Sequence, residues 1–158
     1  MNNIFRNVFK GKVVIVGVGN IMRGDDAFGP KFIETVYQKV DATCIDVGSA
    51  PENYIGKITK ERPNTILIVD VVDLGKEPGD YEILVKEDIV KSGFTTHDLS
   101  PRMFLDFLGK ETEADIFLLG VQPKTLEFGD EISQSVAKTL KELTNLIIEV
   151  KTCTKPIS

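Results

Sequence analysis

Val13-Val14-Ile15-Val16-Gly17-Val18-Gly19-Asn20-Ile21-Met22-Arg23-Gly24-Asp25-Asp26-Ala27-Phe28-Gly29-Pro30 is the stretch that decides the fold. Its first six residues form a continuous, mostly β-branched run, the pattern of a strand covered on both faces in a parallel sheet. The glycine-rich turn that follows delivers two adjacent carboxylates. Gly29-Pro30 then suits the first turn of a helix, where proline is tolerated, and Phe32, Ile33, Val36, Tyr37 and Val40 recur at helical spacing. The alternation of strand and helix continues outward from there. Ala42 to Val47 reads as a second strand, Pro51-Glu52-Asn53 as a short helical turn, Thr65 to Asp70 as a third, buried strand, and Gly75 to Asp80 as a loop. Tyr81 to Lys86 alternates apolar and polar positions, as an edge strand with one wet face does, and its short link to the third strand points to an antiparallel course. Ser100 and Pro101 are placed as N-cap and first residue of a helix running through Met103, Phe104, Phe107 and Leu108. Ile116 to Val121 is the last buried strand, and Ile132, Val136, Leu140, Leu143 and Ile147 mark a long amphipathic helix that closes one face. The expected fold is α/β, a three-layer αβα sandwich around a twisted, mostly parallel sheet of about five strands with one antiparallel edge strand.

Composition narrows the function classes. A chain of 158 residues is most simply one domain over its whole length, able to bury about two thirds of the surface its unfolded form exposes without a disulfide or structural metal. The formal net charge of −5, with lysines spread along the chain, lacks the basic footprint of a nucleic-acid binder. Cys44 and Cys153 are far apart and fit no zinc-site spacing; Cys44, in an apolar run, reads as a small core residue, and Cys153 falls in a tail. Met1 to Gly11 has no apolar core of signal-peptide length, and no apolar run approaches the roughly 18 residues of a membrane span. A cytoplasmic protein with neither nucleic-acid nor membrane partner is the expectation.

In an open α/β sheet, ligands bind outside the carboxyl ends of the strands, near the point where strand order reverses. Several polar residues map to that edge: Asp25 and Asp26 after the first strand, Asp46 at the end of the second, Asp70 at the end of the third, Gln122 after the last. His97, the only histidine, lies in a loop leading into a helix. Two carboxylates and one imidazole can bind a metal ion. Each has a plainer reading as well. Asp25 and Asp26 are favoured helix caps, so that one can cap while the other points into the cleft; Asp70 can serve as a turn former, His97 as a surface residue. Gly17-Val18-Gly19 also invites a dinucleotide-binding reading, but Met22 stands where the third glycine of that motif belongs, and the acidic pair would repel a pyrophosphate. There is no GxSxG elbow and no second histidine to activate a nucleophile, so a hydrolase built on these residues would use water.

Gly19 to Asp26, Gly48-Ser49-Ala50-Pro51-Glu52-Asn53, Ile68-Val69-Asp70, Thr95-Thr96-His97 and Gly120-Val121-Gln122-Pro123 together resemble the ordered motifs of the nickel-iron hydrogenase maturation endopeptidases, in particular the branch acting on hydrogenase 3 of the formate hydrogenlyase type. The resemblance spans nearly the whole chain. It implies a cytoplasmic peptidase, classed as aspartic-type though of unconventional mechanism, that removes a C-terminal extension from the hydrogenase large-subunit precursor after nickel insertion. The implied catalytic and metal-contacting residues are Asp26, Asp70 and His97, with nickel supplied by the substrate and not permanently bound. Asn20, Asp25, Glu52 and Gln122 fall in the same motifs and are candidates to position the peptide tail. Glu52 has the plainer alternative of a first-turn acid favoured by a helix dipole. Ala27 departs from the glycine that many relatives carry after the acidic pair. Two other functions stay open on the sequence: a metal-dependent amidase or peptidase of unrelated substrate, and a non-catalytic adenine-nucleotide-binding α/β module.

Overall fold

The computed structural model describes residues 3–152. Five strands, β1 (Val13–Val18), β2 (Thr43–Gly48), β3 (Thr65–Val71), β4 (Tyr81–Val85) and β5 (Asp115–Val121), form one sheet in the order β2-β1-β3-β5-β4. β2, β1, β3 and β5 run parallel, and β4 is an antiparallel edge paired through Tyr81 opposite Val121 and Val85 opposite Phe117. β4 therefore pairs with β5 and not with β3, the strand that precedes it in the chain: β5 inserts between them. Five α-helices flank the sheet: α1 (Phe28–Val36), α2 (Ile55–Lys60), α3 (Lys86–Lys91), α4 (Pro101–Thr112) and α5 (Gln134–Lys151). Two short 3-10 turns, Gly24–Ala27 and Pro51–Tyr54, lead into α1 and α2. Among the described residues no helix is long and apolar enough to cross a membrane.

The alternation of side chains along the strands builds three layers. Val13, Ile15, Leu67, Val69 and Leu119 face α1 and α5, where Phe28, Phe32, Val36, Val136, Leu143 and Ile147 meet them. Val14, Val16, Ile66, Ile68 and Leu118 face the opposite way, onto Ile58, Ile89, Phe94, Phe104, Leu105 and Leu108. β1 and β3 are buried along their whole length, which explains why their sequences do not alternate.

The glycines of the opening stretch have a packing cause. A Cβ on Gly17 would lie 2.5 Å from the Gly29 carbonyl oxygen, and one on Gly29 would lie 2.2 Å from the Val18 carbonyl oxygen. The two glycines let the start of α1 sit directly on β1. A Cβ on Gly19, whose φ is 149°, would fall 1.9 Å from the Asp26 carbonyl oxygen. These three glycines are thus accounted for by the close seating of α1 and its leading turn on β1, with no ligand required to explain them.

Elements differ from the sequence pattern where no local marker shows the change. α1 stops at Val36 instead of continuing to Val40, since Tyr37 leaves the helical region and Gln38 takes φ of 65°. Lys86, expected in a strand, opens α3. α5 begins at Gln134, after Ile132. Ser100 caps α4 as expected, its hydroxyl accepting from Met103 N–H at 3.1 Å. Ala27 has ordinary right-handed helical angles, so the position asks for no glycine. Cys44 is half-buried against the α1/α5 core, and burial pushes its thiol up to about 11, which leaves it inert. Cys153 lies outside the described residues.

Candidate functional site

β1 sits between β2 and β3, so the chain leaves β1 toward one side of the sheet and returns on the other; the order reverses between β1 and β3. A cavity of about 310 Å³ opens there, lined among others by Gly19, Arg23, Asp26, Ser49, Asp70 and Thr95. Volume does not pick the site, since a larger hollow of about 440 Å³ lies between the Lys76–Tyr81 segment and α5. What distinguishes the smaller cavity is the pair of desolvated carboxylates on its wall.

Asp70 is the penultimate residue of β3, at 7 % exposure, and its Oδ1 accepts from the Val71 N–H at 2.8 Å. Burial pushes its carboxyl well above the ordinary 3.8, and the charge of Asp26 pushes it the same way, against the Val71 hydrogen bond. Asp26 comes from the 3-10 turn that follows β1. Its Oδ2 accepts from the Asn20 N–H at 2.8 Å. Its carboxyl is also raised, chiefly by burial, while the Asn20 N–H and the Arg23 guanidinium pull it back down. Two carboxylates that repel each other in a partly dry cavity have two ways to relieve the repulsion: a shared proton, or a cation between them.

Asp25, the neighbour of Asp26, points the other way. It is fully buried, and its carboxylate accepts from Lys124 N–H (2.8 Å), Thr125 N–H (3.1 Å), Ser133 N–H (2.6 Å) and Ser133 Oγ–H (2.9 Å). It clamps the β5–α5 connection to the 3-10 turn. Asp25 does not line the cavity, and its hydrogen bonds all go to the protein's own groups. Gln122 is engaged within the chain as well. Its Oε1 accepts from Leu74 N–H (2.6 Å) and Lys76 N–H (3.3 Å), so it shapes the β3–β4 connection, and it does not line the cavity. Asn20 contributes its backbone N–H to Asp26, while its side-chain oxygen accepts from Met22 N–H at 2.9 Å. Asp46 is exposed within β2 and accepts from Gly48 N–H at 3.0 Å, away from the cavity wall.

His97 stands apart from the acid pair. Gly93 and Thr95 of its loop line the cavity, but His97 does not, and its side chain is 74 % exposed with Nε2 3.9 Å from Asp98 Oδ1. Glu52 lies in the first turn of the 3-10 segment Pro51–Tyr54, as an acid there was expected to, and its Oε2 and Oε1 accept from the His97 backbone N–H at 3.0 and 3.2 Å. The structure thus brings Asp26 and Asp70 together and leaves His97 at the rim. Among the described residues no group of three or more metal-ligating side chains is assembled. Sequence pattern alone does not single out Arg23, which lines the cavity and whose charge acts on Asp26; its place inside the acidic motif is the available signal. Nor does it single out the exposed apolar side chains Ile21, Met22, Leu126 and Phe128, on two loops joined by the Gly129 N–H to Met22 carbonyl bond at 2.8 Å.

Comparison with known proteins gives one consistent answer. Residues 30–150, which include Asp70 and His97, match the family described as hydrogenase maturation protease. The hydrogenase 3 maturation protease of Escherichia coli K12 is 38 % identical over 126 residues, covering 78 % of this chain and 80 % of that one. Among solved structures, the crystal structure of a NiFe hydrogenase maturation protease HycI from Thermococcus kodakarensis KOD1 superposes with a TM-score of 0.84 at 32 % identity, covering 93 % of this chain and 97 % of the other. A crystal structure of a hydrogenase 3 maturation protease gives 0.80 at 31 % identity, covering 89 % and 91 %.

Proposed function

Because this chain belongs to the hydrogenase maturation protease family, we propose that it removes the C-terminal extension of a nickel-iron hydrogenase large-subunit precursor once nickel has been inserted, and that it reads the nickel the substrate carries. The observation that supports this most is the convergence of Asp26 and Asp70 on one cavity at the reversal point of the sheet, each with its carboxyl raised by burial. Such a pair favours a cation, and a cation that arrives on the precursor meets oxygen ligands that are incomplete without it. Carboxylate oxygens with an imidazole suit a divalent transition metal such as nickel, which can also polarise a neighbouring carbonyl.

The chain's own residues have separable jobs in this reading. Asp26, fixed by the Asn20 N–H and facing Arg23, presents a carboxylate of defined direction. Asp70 holds a proton more readily than an ordinary aspartate and gives it up when a cation approaches, so that loaded precursor binds more weakly as pH falls. His97, free at the rim, supplies the third donor. Ser49 and Thr95 line the cavity, yet among the described residues neither hydroxyl is hydrogen-bonded to a carboxylate or to histidine. Water is therefore the attacking species: it adds to the scissile carbonyl, the C–N bond breaks, and the departing tail leaves as a protonated amine.

The decisive experiment is mass spectrometry of the large-subunit precursor, nickel-loaded and nickel-free, after incubation with this protein. Loss of one discrete C-terminal peptide from the loaded form alone is expected. Replacing His97 with Ala is expected to abolish that cleavage with the fold intact, because the side chain is exposed and packs against little. Equal cleavage of the nickel-free precursor, or undiminished processing by His97→Ala, refutes the reading.

A further inference from the structure

The segment 93–99 carries His97 past the cavity with little to hold it. At one end Phe94 is buried against Phe104, ring centroids 6.1 Å apart; at the other, Ser100 and Pro101 start α4. Between these anchors, Phe94 N–H reaches only Ser92 Oγ, and Thr96 Oγ1 donates to the Leu99 carbonyl within the loop. Among the described residues, apart from the adjoining Ser92, one hydrogen-bonding group reaches from the rest of the chain to 93–99: the Glu52 carboxylate, which takes the His97 N–H on both oxygens from 45 positions away. Glu52 sits three residues after Ser49, and His97 two after Thr95; Ser49 and Thr95 both line the cavity. The bond ties the two rims of the cavity mouth together.

We propose that Glu52 is a positioning residue for the reaction. Its carboxylate fixes the backbone of His97, and with it the starting direction of the imidazole, while leaving the side chain free. This rests on the reading of His97 as the donor that meets the precursor's metal. The role requires an acceptor and not a negative charge, which separates it from binding of a cation or of a basic peptide by Glu52 itself. Gln keeps an amide oxygen at the same reach and therefore substitutes for Glu; Ala does not.

The test uses the full chain in three forms, wild type, Glu52→Ala and Glu52→Gln, with circular dichroism to confirm the fold. Amide exchange of the His97 N–H, read by ¹H–¹⁵N spectroscopy, is expected to accelerate about tenfold or more in Glu52→Ala and to stay within about twofold in Glu52→Gln. On nickel-loaded large-subunit precursor, kcat/KM is expected to fall about tenfold or more in Glu52→Ala, with most of it retained in Glu52→Gln. Unchanged His97 exchange in Glu52→Ala overturns the proposal. So does a Glu52→Gln protein that loses as much kcat/KM as Glu52→Ala with its His97 amide still protected, and so does full activity in a Glu52→Ala protein whose amide exchanges freely. If wild-type protein leaves loaded precursor uncut, the protease reading fails, while the amide measurement still decides whether Glu52 holds His97.

Discussion

On the wall of the cavity, Asp70 lies near the end of a strand that is buried throughout and Asp26 is held by a backbone N–H in a turn wedged under α1; at the rim, His97 rides a loop with its side chain mostly in solvent. The wall is held in position by the folding core, and its carboxylates are kept in surroundings that disfavour their charge. At the rim the histidine side chain is largely exposed, and a single carboxylate pins the backbone behind it. The contrast separates what the fold must hold from what a substrate can move. In the function proposed above, a charge pair that the protein alone disfavours is answered by a cationic partner, and an exposed donor completes that partner's surroundings without having been buried beforehand.

The largest expected effect lies beneath the wall. Asp25→Ala removes a fully buried carboxylate that is the acceptor for three backbone N–H groups and one hydroxyl and leaves those partly buried donors unpaired, so a loss of about 3 kcal/mol is expected. Urea denaturation monitored by circular dichroism measures it. The neighbouring Asp26→Ala removes a half-buried group that the fold charges at a penalty, and is expected to leave stability unchanged or improved while processing is lost. Equal destabilisation by the two variants would erase the distinction between a carboxylate that frames the wall and one that faces the cavity.

A smaller effect of opposite sign is expected at Asp70. Its native carboxyl lies above the ordinary 3.8, so the folded state prefers the protonated form. The stability this group contributes is complete below 3.8 and is lost as pH rises through the higher native value. Asp26, raised as well, acts in the same direction. Asp70→Asn keeps an oxygen for the Val71 N–H and cannot ionise. Its melting temperature is expected to exceed that of the wild type by a few degrees at neutral pH, with the advantage shrinking as pH falls toward 3.8. Melting curves taken across that range check it, and a variant no more stable than wild type at neutral pH would show that the wall tolerates its charges.

The framework of the molecule was legible in the sequence because burial on both faces writes continuous apolar runs, and β1, β3 and β5 are such strands. The acid pair was legible for a related reason. Asp26 and Asp70 follow strands that neighbour one another at the reversal point, and that rule needs only strand order. Illegible was the direction of each side chain. Asp25 and Asp26 are chemically identical and adjacent, and only the β5–α5 connection, some 100 positions later in the chain, draws Asp25 inward. The partnership of Glu52 with His97 is also long-range, across 45 positions, and runs through a backbone N–H, which has no residue type to mark it. The early end of α1 rests on Gln38 in a left-handed conformation, with no glycine to mark the turn.

The smallest effect bears on how the rim is held. Ser100 closes the His97 loop and caps α4, and Ser100→Ala is expected to lower global stability by about 1 kcal/mol. The cap serves the helix, whose buried residues Phe104, Leu105 and Leu108 join the core; the loop is held by Phe94 and by Glu52. His97 amide exchange in Ser100→Ala is therefore expected to stay close to that of the wild type, although the protein as a whole is weaker. Were the cap's removal to free the His97 amide as well, the rim would be an extension of α4. Its position would then depend on core packing as the wall does, and the contrast between a core-held wall and a singly pinned rim would give way to one continuous frame.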